Sequence, residues 1–267
     1  MQIKVNRVEG LTGEVLEAED RAIALINSDL TRLVSAYRER FGRVVGTDTA
    51  RELFPDYANG LEARLKYAVA VQRSAAALAD AVYIEMVSEN QNGLILFTAG
   101  GTGAGKTTTI KQGGGSAYDK ADVIYDSNLN SKGSARSKLD FALSHNCQLA
   151  VSFVHRHPVE AYLQGVLPRA LEEGRTVPIE KHLRMHGDSL KTFLWLQRQY
   201  KSNPFVVFVI LINTGYPAEV LSGDLDYLKA IEYDKAALIT AIKEGLQRAL
   251  TNGKISEALY EASSGGS

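Results

Sequence analysis

The sequence predicts an α/β fold in which helices cover both faces of a parallel sheet, preceded by a helical N-terminal extension. Three observations predict it. Near-continuous apolar runs at residues 94–98, 121–126, 147–155 and 205–212 alternate with helical patterns, as expected of strands buried on both faces. Residues 16–90 carry helical periodicity only. A glycine-rich stretch, GGTGAGKTT at 100–108, joins the first apolar run to a helical segment.

Composition limits the reading further. With 267 residues, 45% of them hydrophobic, the chain can bury a full core. A formal net charge of -1 argues against a dominant basic surface for duplex nucleic acid. The single cysteine, Cys147, excludes an intrachain disulfide and a thiolate zinc site, and points to a reducing, cytoplasmic setting; delivery of an effector into another cell is compatible with it. No stretch approaches the roughly 18 apolar residues of a membrane span.

In chain order, residues 2–5 read as a short strand. From Glu17 the apolar residues Ile23, Leu25, Ile26, Leu30, Leu33 and Val34 recur at helical spacing, stopping near Gly42. Thr49 with Glu52 fits a capping box for a short helix that ends around residues 55–57. After a turn at Asn59 and Gly60, residues 61–87 are rich in Ala and Leu with no breaker, which predicts one long helix. Residues 1–90 thus form an N-terminal extension, either a separate lobe or a layer against the sheet.

A core at residues 91–233 follows. Its first strand, 94–98, leads into G-x-x-x-x-G-K-T at 100–107, the P-loop pattern in its required strand-to-helix context. The expected fold is therefore the nucleoside-triphosphate hydrolase or kinase type. Gly101, Thr102, Gly103, Ala104, Gly105, Lys106, Thr107 and Thr108 are the nucleotide-binding candidates, because consecutive N–H groups and a helix N-terminus converge there on phosphate. Lys106 reaches the β- and γ-phosphates, and Thr107 offers a hydroxyl to Mg²⁺. ATP and Mg²⁺ are the expected cofactors.

Glycines 113–115 end the helix behind the loop. The second strand ends in Asp126, at the edge where the P-loop also emerges, so this carboxylate serves as Mg²⁺ partner or as base toward an attacking hydroxyl. No second carboxylate follows a strand between Lys106 and Asp126, and the two tasks collapse onto one residue. Ser127, Asn128 and Asn130 bind substrate or cap the turn. A helix over 134–145, the strand 147–155 and a helix from Pro158 come next. Residues 157–188 gather Arg156's neighbours Arg169, Arg175, Lys181 and Arg184 around a Pro178 and a Gly187, and read as a lid with Arg169 and Arg175 as its catalytic cations. His155, His157, His182 and His186 lack metal-site spacing and default to the surface or to substrate contact. A helix at 189–200, a fully buried strand at 205–212 and terminal helices with a flexible tail over 234–267 complete the chain.

The strings VIYDSNLNSKGSARSKLDFAL, QLAVSFVHRHPVEAYLQGVLPRA and EGRTVPIEKH, with DTARELFPDYA and AVAVQRSAAALA ahead of LFTAGGTGAGKTT, resemble successive elements of the zeta-toxin-like P-loop kinases, relatives of bacteriophage polynucleotide kinase. The resemblance covers about residues 47–200. It implies ATP- and Mg²⁺-dependent phosphorylation of a small-molecule hydroxyl, with Lys106 and Thr107 in the P-loop, Asp126 as base or metal partner, and Arg169 and Arg175 in the lid. Zeta toxins phosphorylate UDP-N-acetylamino sugars, so the resemblance also implies a toxin with a protein antitoxin or other regulatory partner. The segment from Gly113 to Asp126 is one strand and one helix short of that pattern, which leaves the acceptor, UDP-amino sugar or nucleotide, unassigned. A non-catalytic nucleotide sensor and a polynucleotide 5'-hydroxyl kinase are the alternatives.

Overall fold

The computed structural model describes residues 5–113, 115–173, 176–215 and 218–265. The strand expected at 2–5 falls almost wholly outside them. Helix α1 (Gly13–Phe41) leads into a two-residue strand, β1 (Val44–Val45), and the short helices α2 (Thr47–Ala50) and α3 (Pro55–Ala58). The long helix expected at 61–87 is two helices, α4 (Leu61–Tyr67) and α5 (Gln72–Glu89), separated by a turn. Good helix formers give way there because the turn sinks Ala70 and Val71 completely into the core, and tertiary burial outweighs propensities of under about 1 kcal/mol per residue. The Thr49 hydroxyl does not cap a helix; it donates to Gly46 O at 2.8 Å.

The core continues with β2 (Leu94–Ala99), α6 (Lys106–Gly113), α7 (Ala117–Lys120), β3 (Val123–Asp126), α8 (Lys132–Ser144) and β4 (Gln148–His155). After β4 come α9 (Pro158–Ala161), a π-helical turn (Tyr162–Val166), α10 (Leu167–Glu173) and α11 (Ile179–Tyr200). Strands β5 (Val206–Asn213) and β6 (Val220–Ser222) and helices α12 (Leu225–Lys229), α13 (Lys235–Thr251) and α14 (Glu257–Ser264) close the chain. Ser263, expected in the flexible tail, lies in α14 and is fully buried.

The sheet has the order β1-β3-β2-β4-β5-β6, parallel except for the antiparallel edge strand β6. Alternation along the strands sorts the side chains between two faces. Ile95, Phe97, Val123, Tyr125, Val151 and Phe153 join a core with α1, α5, α8 and α11, whereas Leu96, Ile124, Ala150 and Val154 face Ile110 of α6 and Ala121. Tyr83 of α5 packs against Phe97, Tyr125 and Phe141 at ring distances of 6.0, 5.2 and 6.1 Å. The N-terminal extension is therefore a layer on the sheet that shares its core. It also supplies the edge strand beside β3.

Two expectations are met only in part in the second half. Strand β5 is not fully buried: Val207 is 59% exposed, ahead of residues 211–213 where β6 pairs with the strand. Of the two interruptions expected in the stretch 157–188, Pro178 stands in the non-helical residues 176–178 between α10 and α11, whereas Gly187 interrupts nothing. Pro178 sits at the N-cap of α11, and α11 runs straight through Gly187, whose roughly 1 kcal/mol helix penalty is outweighed by the buried stripe His182, Ser189, Phe193, Leu196 and Tyr200.

Candidate active site

The loop at 100–105 leaves β2 at the carboxyl edge of the sheet and runs into α6. Gly103 has φ +72°, and a Cβ there would lie 2.1 Å from Ala161 O, so only glycine fits. The first helical bond of α6 is from Thr109 N–H to Gly105 O at 2.9 Å, which leaves the N–H groups of residues 106–108 unpaired within the helix. Thr107 and Thr108 are exposed, whereas Gly101 and Ala104 are buried.

Helix α11 holds this loop from outside. His182 Nε2 lies 2.9 Å from Pro158 O; a carbonyl only accepts, so Nε2 carries the proton and Nδ1 accepts from Thr102 Oγ1 at 2.7 Å. His186 Nε2 likewise donates to Thr102 O at 3.0 Å. One turn further, Ser189 Oγ accepts from Gly100 N–H at 2.9 Å and donates to Asn128 O at 2.5 Å. From the end of β5, Asn213 Nδ2 donates to Ala104 O at 3.0 Å. In a planar trans peptide the N–H points opposite to the C=O. Tying the carbonyls of Thr102 and Ala104 outward therefore turns the N–H groups of Gly103 and Gly105 inward, the orientation an anion cradle needs. Of the four histidines expected at the surface or in substrate contact, His182 and His186 are structural partners of the loop.

Burial pushes both rings toward neutrality: His182 is lowered to about 4, and His186 well below its usual value, with His182 next to it as a secondary cause. His155, at the end of β4, is also lowered to about 4 by burial and then by His157, and Tyr233 OH lies 3.2 Å from its Nε2.

On the inner side, Lys106 Nζ donates to Asn128 Oδ1 at 2.7 Å. Leu129, the next residue, is held at φ +48°, a strained conformation that accompanies the turn presenting Asn128. Burial lowers the Lys106 proton affinity; Asp126 and Asp48 oppose that effect, and Arg169 reinforces it. Asp126 sits beside the loop because β3 pairs with β2 in register Thr98 to Asp126, and Thr98 Oγ1 donates to Asp126 Oδ1 at 2.7 Å. Arg169 is exposed on α10, close enough to be felt at Lys106; Arg175 lies outside the described residues. The structure thus gathers Lys106, Asp126 and the charge of Arg169, and adds Asn128, His182, His186, Ser189, Asn213 and Asp48, which sequence reasoning misses or leaves open. A signal for His182, His186 and Ser189 exists: 182, 186, 189, 193, 196 and 200 are spaced as one face of a continuous helix.

Among the described residues no three His, Cys, Asp or Glu side chains are grouped to hold a metal. Mg²⁺ does not need such a cage, because it takes one or two protein oxygens and completes its shell with water and phosphate. The exposed Thr107 hydroxyl and the second oxygen of Asp126 are hard donors of the kind that fit it. Beyond Gly101 and His186 a cleft of about 600 Å³ opens, lined among others by His155, Lys181, Arg184 and Tyr233. No described helix is long and apolar enough to cross a membrane.

No family model matches the chain, and no curated protein matches it. Among solved structures it is similar to a chain from the PezAT chromosomal toxin-antitoxin system of the human pathogen Streptococcus pneumoniae, at 9% identity and a TM-score of 0.44, over 91% of this chain and 99% of that one.

Two outcomes test the α11 contacts. A Cβ on Gly101 would lie 2.1 Å from the His186 ring, so Gly101→Ala is expected to cost about 1–3 kcal/mol in urea unfolding, and less than about 0.5 kcal/mol in a His186→Ala background. Equal costs in both backgrounds would remove the ring from the loop. In the pH range between the unfolded histidine value near 6.5 and about 4, the unfolded chain binds protons that native His182 refuses, so stability is full above that window and falls as pH drops through it. His182→Asn, which keeps one donor and one acceptor, should flatten the loss of urea midpoint between pH 7.5 and pH 5.

Proposed function

We propose that the protein transfers the terminal phosphoryl group of ATP, with Mg²⁺, to a hydroxyl of a small molecule, a UDP-amino sugar or a nucleotide. The observation that carries this reading is the convergence at one sheet edge of Lys106, the inward N–H groups of the 100–105 loop and Asp126 on the neighbouring strand. The zeta-toxin-like resemblance of the sequence points the same way, and extends to a protein antitoxin as partner.

On this reading, the loop amides and the start of α6 bind the β-phosphate, and Lys106 leaves Asn128 for the transferring group. Thr107 and Asp126 would hold Mg²⁺, which would supply neutralisation of phosphate charge. Thr98 fixes one Asp126 oxygen, and the other is the oxygen the metal would take. Arg169, with Arg175 assigned the same role from sequence, adds positive charge against the phosphoryl oxygens. One observation favours a second reading, a nucleotide sensor without catalysis: Asn128 already satisfies Lys106, so nucleotide binding exchanges one lysine partner for another and is a switch in itself.

A transfer screen with γ-labelled ATP over UDP-sugars, nucleosides, NAD and RNA ends separates the two. Labelled product is expected with one small-molecule class, with loss of ATP binding in Lys106→Ala. Asp126→Asn should lower kcat by about 100-fold or more while ATP affinity holds. Tight ATP binding with no transfer to any class would favour the sensor, and an Asp126→Asn variant at the wild-type rate would remove Asp126 from the chemistry.

A further inference from the structure

Phosphoryl transfer to a hydroxyl sets two tasks for carboxylates, one at the metal and one at the acceptor proton, and Asp126 at the end of β3 cannot perform both at once. The N-terminal extension supplies another. Strand β1 pairs in parallel with β3, Val44 with Ile124 and Val45 with Tyr125, so the residues after β1 emerge at the same carboxyl edge as Asp126. Gly46 lies directly against that residue: a Cβ on it would sit 2.8 Å from Asp126 O.

The turn that follows is built to hold its place. Tyr37, fully buried, accepts the Gly46 N–H at 2.9 Å, and its hydroxyl lies 3.1 Å from Val44 O, 3.3 Å from Gly46 O and in hydrogen-bond contact with Thr49 Oγ1. Burial raises the Tyr37 phenol, and the nearby Asp126 charge adds to the effect. On this turn Asp48 is exposed, its side chain 70% accessible, with Oδ1 held by Arg51 at 3.1 Å. Arg51 in turn is fixed by the side-chain carbonyl of Gln72 on α5 and stacks over the Tyr57 ring at 5.9 Å. One Asp48 oxygen is thereby anchored and the other is free, the same arrangement that Thr98 imposes on Asp126. The charged groups facing Asp48 are Arg51, Lys106 and Lys181 of α11; its charge is felt at both lysines.

We infer that Asp48, delivered by the β1 to α2 turn of the N-terminal extension, is the second carboxylate of the site and the base for the acceptor hydroxyl, leaving Asp126 to the metal side. The inference rests on the phosphoryl-transfer reading above. As the acceptor O–H bond breaks, its proton passes to the free Asp48 oxygen. The acceptor oxygen's electron pair forms the new bond to the γ-phosphorus, and the bridging P–O bond breaks with its pair leaving on the β-phosphate of ADP.

The test uses the full chain with the acceptor found by the screen. Asp48→Asn is expected to lower kcat about 100-fold or more, with ATP affinity and the ATP KM changed less than about twofold, because Asp48 lies outside the phosphate cradle. Asp48→Glu should restore part of the rate. With an acceptor analogue whose hydroxyl is made more acidic by fluorine, the Asp48→Asn defect should shrink, which a merely structural role would not produce. An active wild type with Asp48→Asn within threefold of it overturns this inference alone. A wild type that phosphorylates nothing overturns the function beneath it as well.

Discussion

The pairing of β3 between β2 and β1 decides what meets at the site. Parallel strands share one carboxyl edge, so the glycine loop after β2, Asp126 at the end of β3 and the turn after β1 all emerge together. A register shift by one residue would turn Asp126 to the opposite face and separate it from Thr98. The burial of Tyr83 among Phe97, Tyr125 and Phe141 stabilises this register, since the aromatic side chains of β2 and β3 meet it on the same face.

Around this edge the protein places its charges unequally. The outer side of the loop is held by neutral groups: two histidines kept uncharged by burial, a serine and an asparagine. The inner side gathers Lys106, Asp126, Asp48 and, at longer range, Arg169. Neutral donors can fix carbonyls without competing for an anion, whereas a cation behind the loop would pull the anion the wrong way. This division explains why the rings of His182 and His186, although beside the most basic part of the chain, serve geometry and leave charge to lysine and arginine.

Much of this arrangement is legible in the sequence. The apolar run before the glycines, the lysine after them and Asp126 at the end of the next apolar run identify the edge and its chemistry, because each is a local pattern. What stays hidden is non-local. Strand β1 is two residues long and has no periodicity, so the contribution of the N-terminal extension to the sheet, and of Asp48 to the site, leaves no mark. The break between α4 and α5 contains neither glycine nor proline and follows from burial of Ala70 and Val71 alone. Gly187 resembles an interruption locally, yet the apolar and histidine stripe across it belongs to one continuous helix.

The central claim is that the loop at 100–105 and the start of α6 form a phosphate cradle with its amides turned inward. Backbone amide NMR during titration with Mg²⁺ and a non-hydrolysable ATP analogue tests it most directly. The account predicts that the amides of Gly103, Gly105, Lys106 and Thr107 shift together and saturate at one affinity, while the Asn128 side-chain amide responds as Lys106 leaves it. Shifts that spare these amides and centre elsewhere in the protein would contradict it.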